Sequence, residues 1–267
     1  MFLETADSVA MLGYAGLGKT AAGTEPSDWM SAVLRTRNLT LEESLGALTN
    51  AVRETFPEHL VQLSAPQTHT IVVPAFVSAE ARLYTIDITR SPDRLGYQSR
   101  YTRHVIRVAR GTQKPPRVGI AGSGALYLQH RGSWLRRLLQ LVNAHDRGNI
   151  SAYAVADYLA ALNNDVHSHV TDASVGPRCI VSWRYNKAGS REGGGGHRFY
   201  TGERPDDSSP ALPTIANGLD IPAIINLPHL QGMFADLLAG VPVREIKKEQ
   251  IDIELATLPE TPDEKLR

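Results

Sequence analysis

Apolar residues recur along this chain with two different periods, and the switches between them predict the order of its elements. Val9, Ala10, Met11 and Leu12 form a short unbroken apolar run, as a buried strand should. Gly13, Gly16 and Gly18 follow closely and mark a tight reversal. Over residues 28–34, Trp29, Met30 and Val33 fall at helical spacing. Over 40–56, Leu41, Leu45, Leu48, Val52 and Phe56 make one apolar stripe, Thr40 and Glu43 supply a capping box, and Pro57 stops the helix. Segments 69–77 and 81–88 read as strands. The connection Ser78-Ala79-Glu80 is short enough to make them an antiparallel hairpin, and Pro74 predicts a bulge or an edge position in the first.

Further strands are expected over 101–109 and 117–121, the latter running into Gly122-Ser123-Gly124. Residues 135–145 and 151–166 predict a helical hairpin, with Gly148 in the turn. In 178–185, Cys179, Val181 and Trp183 alternate with Arg178, Ser182 and Arg184, which is a strand with one covered face. The glycines at 193–196 read as a loop before a returning strand at 197–201. Residues 203–213 turn to proline, serine and aspartate and read as a linker. A short strand over 221–227, a helix over 229–238 and a charged tail over 244–267 complete the expectation. This order is α+β, with antiparallel sheets carrying helices on their outer faces, rather than the alternation that builds a parallel sheet.

The first glycine turn also fits a second chemistry. Gly13, Gly18, Lys19 and Thr20 match the phosphate-loop pattern, in which bare backbone N–H groups and a lysine hold phosphates and a hydroxyl meets Mg²⁺. Asp87 would be the matching acidic residue on a strand. That chemistry needs a helix starting at the lysine. Gly23 and Pro26 oppose one there, and Ser27 with Asp28 is the better helix start. The turn is therefore read first as plain structure, with nucleotide binding as the alternative.

The element order resembles the proteasome β-subunit-like members of the N-terminal-nucleophile hydrolases. The resemblance spans residues 7–201. It rests on the strand over 8–14 ending in Ala15-Gly16, two helices, the 72–88 hairpin, Gly122-Ser123-Gly124 opening a helix, the helical hairpin, and the strand holding Cys179 to Trp183. It implies an αββα four-layer sandwich for 1–202, with 203–267 as linker and C-terminal extension. In that family a threonine, serine or cysteine at the mature N-terminus attacks an amide, its own amine serving as base. By resemblance Ser123 supports the amine and its water, and Asp172 and Ser174 assist. The family's two opening strands, with the nucleophile, would precede Asp7. The expectation is a chain that is N-terminally incomplete or non-catalytic, and that assembles with like subunits.

Composition narrows the picture slightly. Lys plus Arg equal Asp plus Glu at 28 each, so no overall charge draws the chain to nucleic acid or anionic membrane. The basic stretch over 90–147 carries no aromatic-rich RNA motif and reads as a solvated face. Cys179 is the single cysteine, which leaves no intramolecular disulfide and suggests the cytoplasm. No cofactor is expected. His167 and His169, beside Asp165, read as residues ending a helix rather than as metal ligands.

Overall fold

The computed structural model describes residues 1–16, 26–55, 68–78, 80–91, 96–104, 118–170, 175–185, 195–206 and 212–225. They form an α+β protein whose contacts divide into two compact units, Met1–Val105 with Ala211–Arg267, and Ile106–Pro210.

The first unit is a mixed sheet backed by two helices. Its strands are β1 (Phe2–Glu4), β2 (Ser8–Met11), β3 (Gly13–Ala15), β4 (Thr68–Val77), β5 (Glu80–Arg90) and β6 (Tyr97–His104). Its helices are α1 (Pro26–Leu34) and α2 (Leu41–Thr55). Strand β4 is inner, laddered antiparallel to β5 on one side and to β2 and β3 on the other. Alternate residues of β4 and β5 (Ile71, Val73, Ala75, Val77; Tyr84, Ile86, Ile88) are buried with Trp29, Met30 and Leu34 of α1 and Leu41, Leu45, Leu48 and Val52 of α2. The predicted stripe from Leu41 to Val52 is thus the stripe that packs, while Phe56 and Pro57 lie outside the described residues. Each such side chain gains about 1.5–3 kcal/mol from leaving water.

The capping box forms as expected. Thr40 N–H donates to Glu43 at 2.9 Å, and Glu43 N–H reaches back to Thr40 Oγ1 at 3.4 Å. Asp7, in the β1–β2 turn, adds a partner that sequence spacing did not suggest: its carboxylate accepts Leu41 N–H at 2.9 Å. A carboxylate there also complements the positive end of α2.

Pro74 lies neither at an edge nor in a bulge. It sits inside β4, and the ladder positions left open between β2 and β3 fall opposite it and Val73. Leu12, within that gap, donates its N–H to Met1 O at 2.8 Å instead. The proline's missing donor is accommodated by interrupting the neighbouring strand.

The linker expected over 203–213 is in part a strand, Arg204–Asp206, and beyond it comes more of this sheet. Strand β10 (Thr214–Ala216) pairs parallel with β1, and β11 (Leu219–Asp220) pairs with β10. The strand expected over 221–227 is instead a short helix, Ile221–Ile225 (labelled α6 below). Asp220 accepts Ala223 N–H at 3.2 Å, and proline is tolerated in a first helical turn, so the chain coils there. The helix expected over 229–238 lies outside the described residues.

The second unit holds α3 (Gly124–Gln129), α4 (Ser133–Asp146), α5 (Ala152–His169), and an antiparallel sheet of β7 (Arg178–Arg184), β8 (Gly195–Thr201) and β9 (Arg204–Asp206). The predicted helical hairpin is α4 and α5. Cys179, Val181 and Trp183 pack with Tyr200 against Ala156 and Ala160 of α5. Gly195 and Gly196, read from sequence as loop, belong to β8. Residue 196 must lack a side chain, because a Cβ there would stand 2.7 Å from the Trp183 indole. Residues 118–121, expected to be a strand, are irregular.

Candidate functional site

The turn Gly122-Ser123-Gly124 is placed by a close helix contact. Ser123 caps α3 with φ −61° and ψ −29° and makes no side-chain cap bond, and its side chain is exposed. Gly124 lies against α5: a Cβ there would stand 2.6 Å from Val166 Cγ1 and 3.7 Å from Val175 Cγ2. The serine turn is therefore seated on the last turns of α5 and on Val175.

Both flanks of 171–174 are tied to that same helix end. Val170 N–H donates to Val166 O at 2.9 Å. The His167 ring, through Nδ1, meets Val175 O at 2.7 Å, and Asn163 donates to Gly176 O at 3.1 Å. Asp172 and Ser174 themselves lie outside the described residues.

A polar cluster borders the site. Tyr127, one helical turn beyond Ser123, donates its hydroxyl to Asp165 Oδ2 at 2.9 Å. His169 Nδ1 lies 2.8 Å from Asp165 O and 3.3 Å from Asp165 Oδ1, and its ring stacks on Tyr127 at 5.2 Å. The Arg131 guanidinium covers the Tyr127 ring at 4.4 Å. Desolvation, then the bond to Asp165, push the Tyr127 phenol up, so it acts as a donor. His169 binds its own helix end and His167 binds Val175 beyond it, and no group of three or more metal-capable side chains gathers among the described residues. Burial raises the Cys179 thiol, which makes it a poor nucleophile. Tyr127 did not stand out in the sequence, and Asp165 did so only as a neighbour of His167 and His169, since the Tyr127–Asp165 pairing joins positions 38 apart.

At the first glycine turn, Gly13 belongs to β3 and ladders antiparallel to Val72. Gly18, Lys19 and Thr20 lie outside the described residues, and the first helix described after them opens at Pro26. Asp87 is exposed on β5, an antiparallel hairpin strand, where it accepts the Thr70 hydroxyl at 3.3 Å and faces Arg100 in register. This geometry adds nothing to the nucleotide reading.

No family model matches the chain, and no curated protein or solved structure matches it either. Among the described residues, no helix is long and apolar enough to cross a membrane.

Proposed function

We propose that the chain is a proteasome-subunit-like protein of the N-terminal-nucleophile hydrolase fold, of amide-hydrolase ancestry, and that residues 1–267 alone do not cleave amide bonds. One observation carries this reading: each unit sets helices against one face of a sheet and leaves some apolar side chains on the other. In the first unit, Val9, Phe76, Val72, Pro74 and Leu83 share the face away from α1 and α2 with Thr85 and Asp87, and the five apolar ones are half-buried. In the second, register partners Ile180 and Phe199 share the face away from α5 with Arg178, Ser182 and Arg184. Sheets backed by helices on one face are the parts from which a helix–sheet–sheet–helix fold is built. In this reading Ser123, Asp172 and Ser174 are supporting groups awaiting a nucleophile.

Two measurements test it. An experimental structure should show the four-layer order; helices lying between the sheets would overturn the fold assignment. A fluorogenic peptide panel incubated with the 267-residue protein should show no turnover above buffer. Hydrolysis that disappears in Ser123→Ala would instead make Ser123 the nucleophile and sink the proposed role.

A further inference from the structure

The least expected constellation outside that site is buried under the first glycine turn. His69, the second residue of β4, is 1 % exposed. Its Nδ1 lies 2.6 Å from the Tyr14 hydroxyl, and the two rings stack at 5.8 Å. Tyr97 of β6 meets the imidazole edge-on at 5.5 Å. Gly16 closes the arrangement from above. A Cβ at that position would fall 2.7 Å from the Tyr14 hydroxyl and closer still to His69 Nδ1, so the backbone of the turn rests directly on the pair.

Among the described residues, Tyr14 from β3 and Tyr97 from β6 meet the imidazole, and Arg90, the register partner of Tyr97, lies on the same face of β5. Burial, with Tyr97 nearby, pushes the Tyr14 phenol up, so the hydroxyl is assigned as donor and Nδ1 as acceptor. A protonated ring loses that acceptor and becomes a buried charge.

We propose that His69 is an acid-sensitive latch: the neutral imidazole holds the end of β3 and the Gly16 turn onto the sheet, and the charged imidazole releases them. The latch is independent of the hydrolase reading. It acts on β3, whose pairing with β4 is short (Gly13–Ala15), whereas the β4–β5 ladder extends over ten residue pairs and stays closed. Burial already holds the ring down at about 4, against an ordinary value of 6.5. Opening at β3 therefore becomes easier as pH falls between those values, because the open state takes up the proton.

Hydrogen exchange on the full chain reads this directly. With intrinsic rates corrected, protection of the Tyr14–Gly16 fragment should fall roughly a hundredfold from pH 7 to pH 4, while β5 and β6 amides keep theirs. His69→Gln removes the titration and should flatten that profile. Should the variant fail to fold, NMR titration of the wild-type His69 ring supplies the second readout, and the loss of protection must level off at the pH where that ring titrates. A flat wild-type profile, an equal loss in His69→Gln, a loss that levels off elsewhere, or a loss shared by all amides would each overturn the latch.

Discussion

Gly218 is a residue whose identity the backbone dictates twice over. Its φ is +82°, and a Cβ would meet the Arg37 backbone at 2.8 Å. Beside it Thr36, itself at φ +63°, donates its N–H to Gly218 O at 2.8 Å. Gly218→Ala should cost about 1–3 kcal/mol, from strain and lost clearance together, in urea unfolding. Gly124 is crowded by a side chain rather than by backbone. Gly124→Ala should lower stability by about 1–2 kcal/mol, and Val166→Ala in the same chain should recover part of it, which a double-mutant cycle measures. His69 also sets a pH dependence. Its folded value lies below its unfolded one, so its contribution is complete above about 6.5 and is lost as pH falls through about 4. That loss is at most about 3 kcal/mol. Unfolding curves at pH 7 and pH 4.5 should differ in that direction, and His69→Gln should shrink the difference.

At the scale of elements, α2 shows what the sequence made legible. Thr40, Glu43 and the leucine stripe are local signals, and each does in the fold what its spacing predicts. Thr40→Ala should cost about 1 kcal/mol, read as a lower midpoint with an unchanged denaturant slope. Bonds from Thr40 hold the Glu43 carboxyl below the ordinary range, so this cap survives mild acid. The β4–β5 hairpin and the α4–α5 pair were legible for the same reason, since short connections join their partners. What escaped is non-local. Asp7 bonds an N–H 34 positions away, Tyr14 meets His69 across 55, and Arg35 pairs with Asp220 at 3.2 Å across 185. Nothing in a window of residues encodes those meetings. The 221–227 segment misled because its apolar run suits a strand or a buried helix turn equally, and Asp220 decided between them. Of the candidate site, Ser123 and its glycines were visible as a motif, whereas the seat they occupy on α5 follows from Val166 and Val175.

At the scale of the whole molecule, the first unit is closed by its distant end. Strand β10 lies parallel to β1, β11 follows it, and the Arg35–Asp220 ion pair fastens α1 to β11. Its carboxylate and guanidinium are both mostly covered, so Arg35→Ala leaves a poorly solvated acid. It should lower stability by about 1–3 kcal/mol in thermal unfolding and speed proteolysis within 212–225. The parallel pairing carries a cost during synthesis. Phe2–Glu4 leave the ribosome some two hundred residues before Thr214–Ala216 are made, and at about 5–20 residues per second that edge stays bare for on the order of ten seconds or more. Throughout that interval its unsatisfied amides and carbonyls can recruit a neighbouring nascent chain, so slowing synthesis ahead of residue 214 should increase aggregation of this protein.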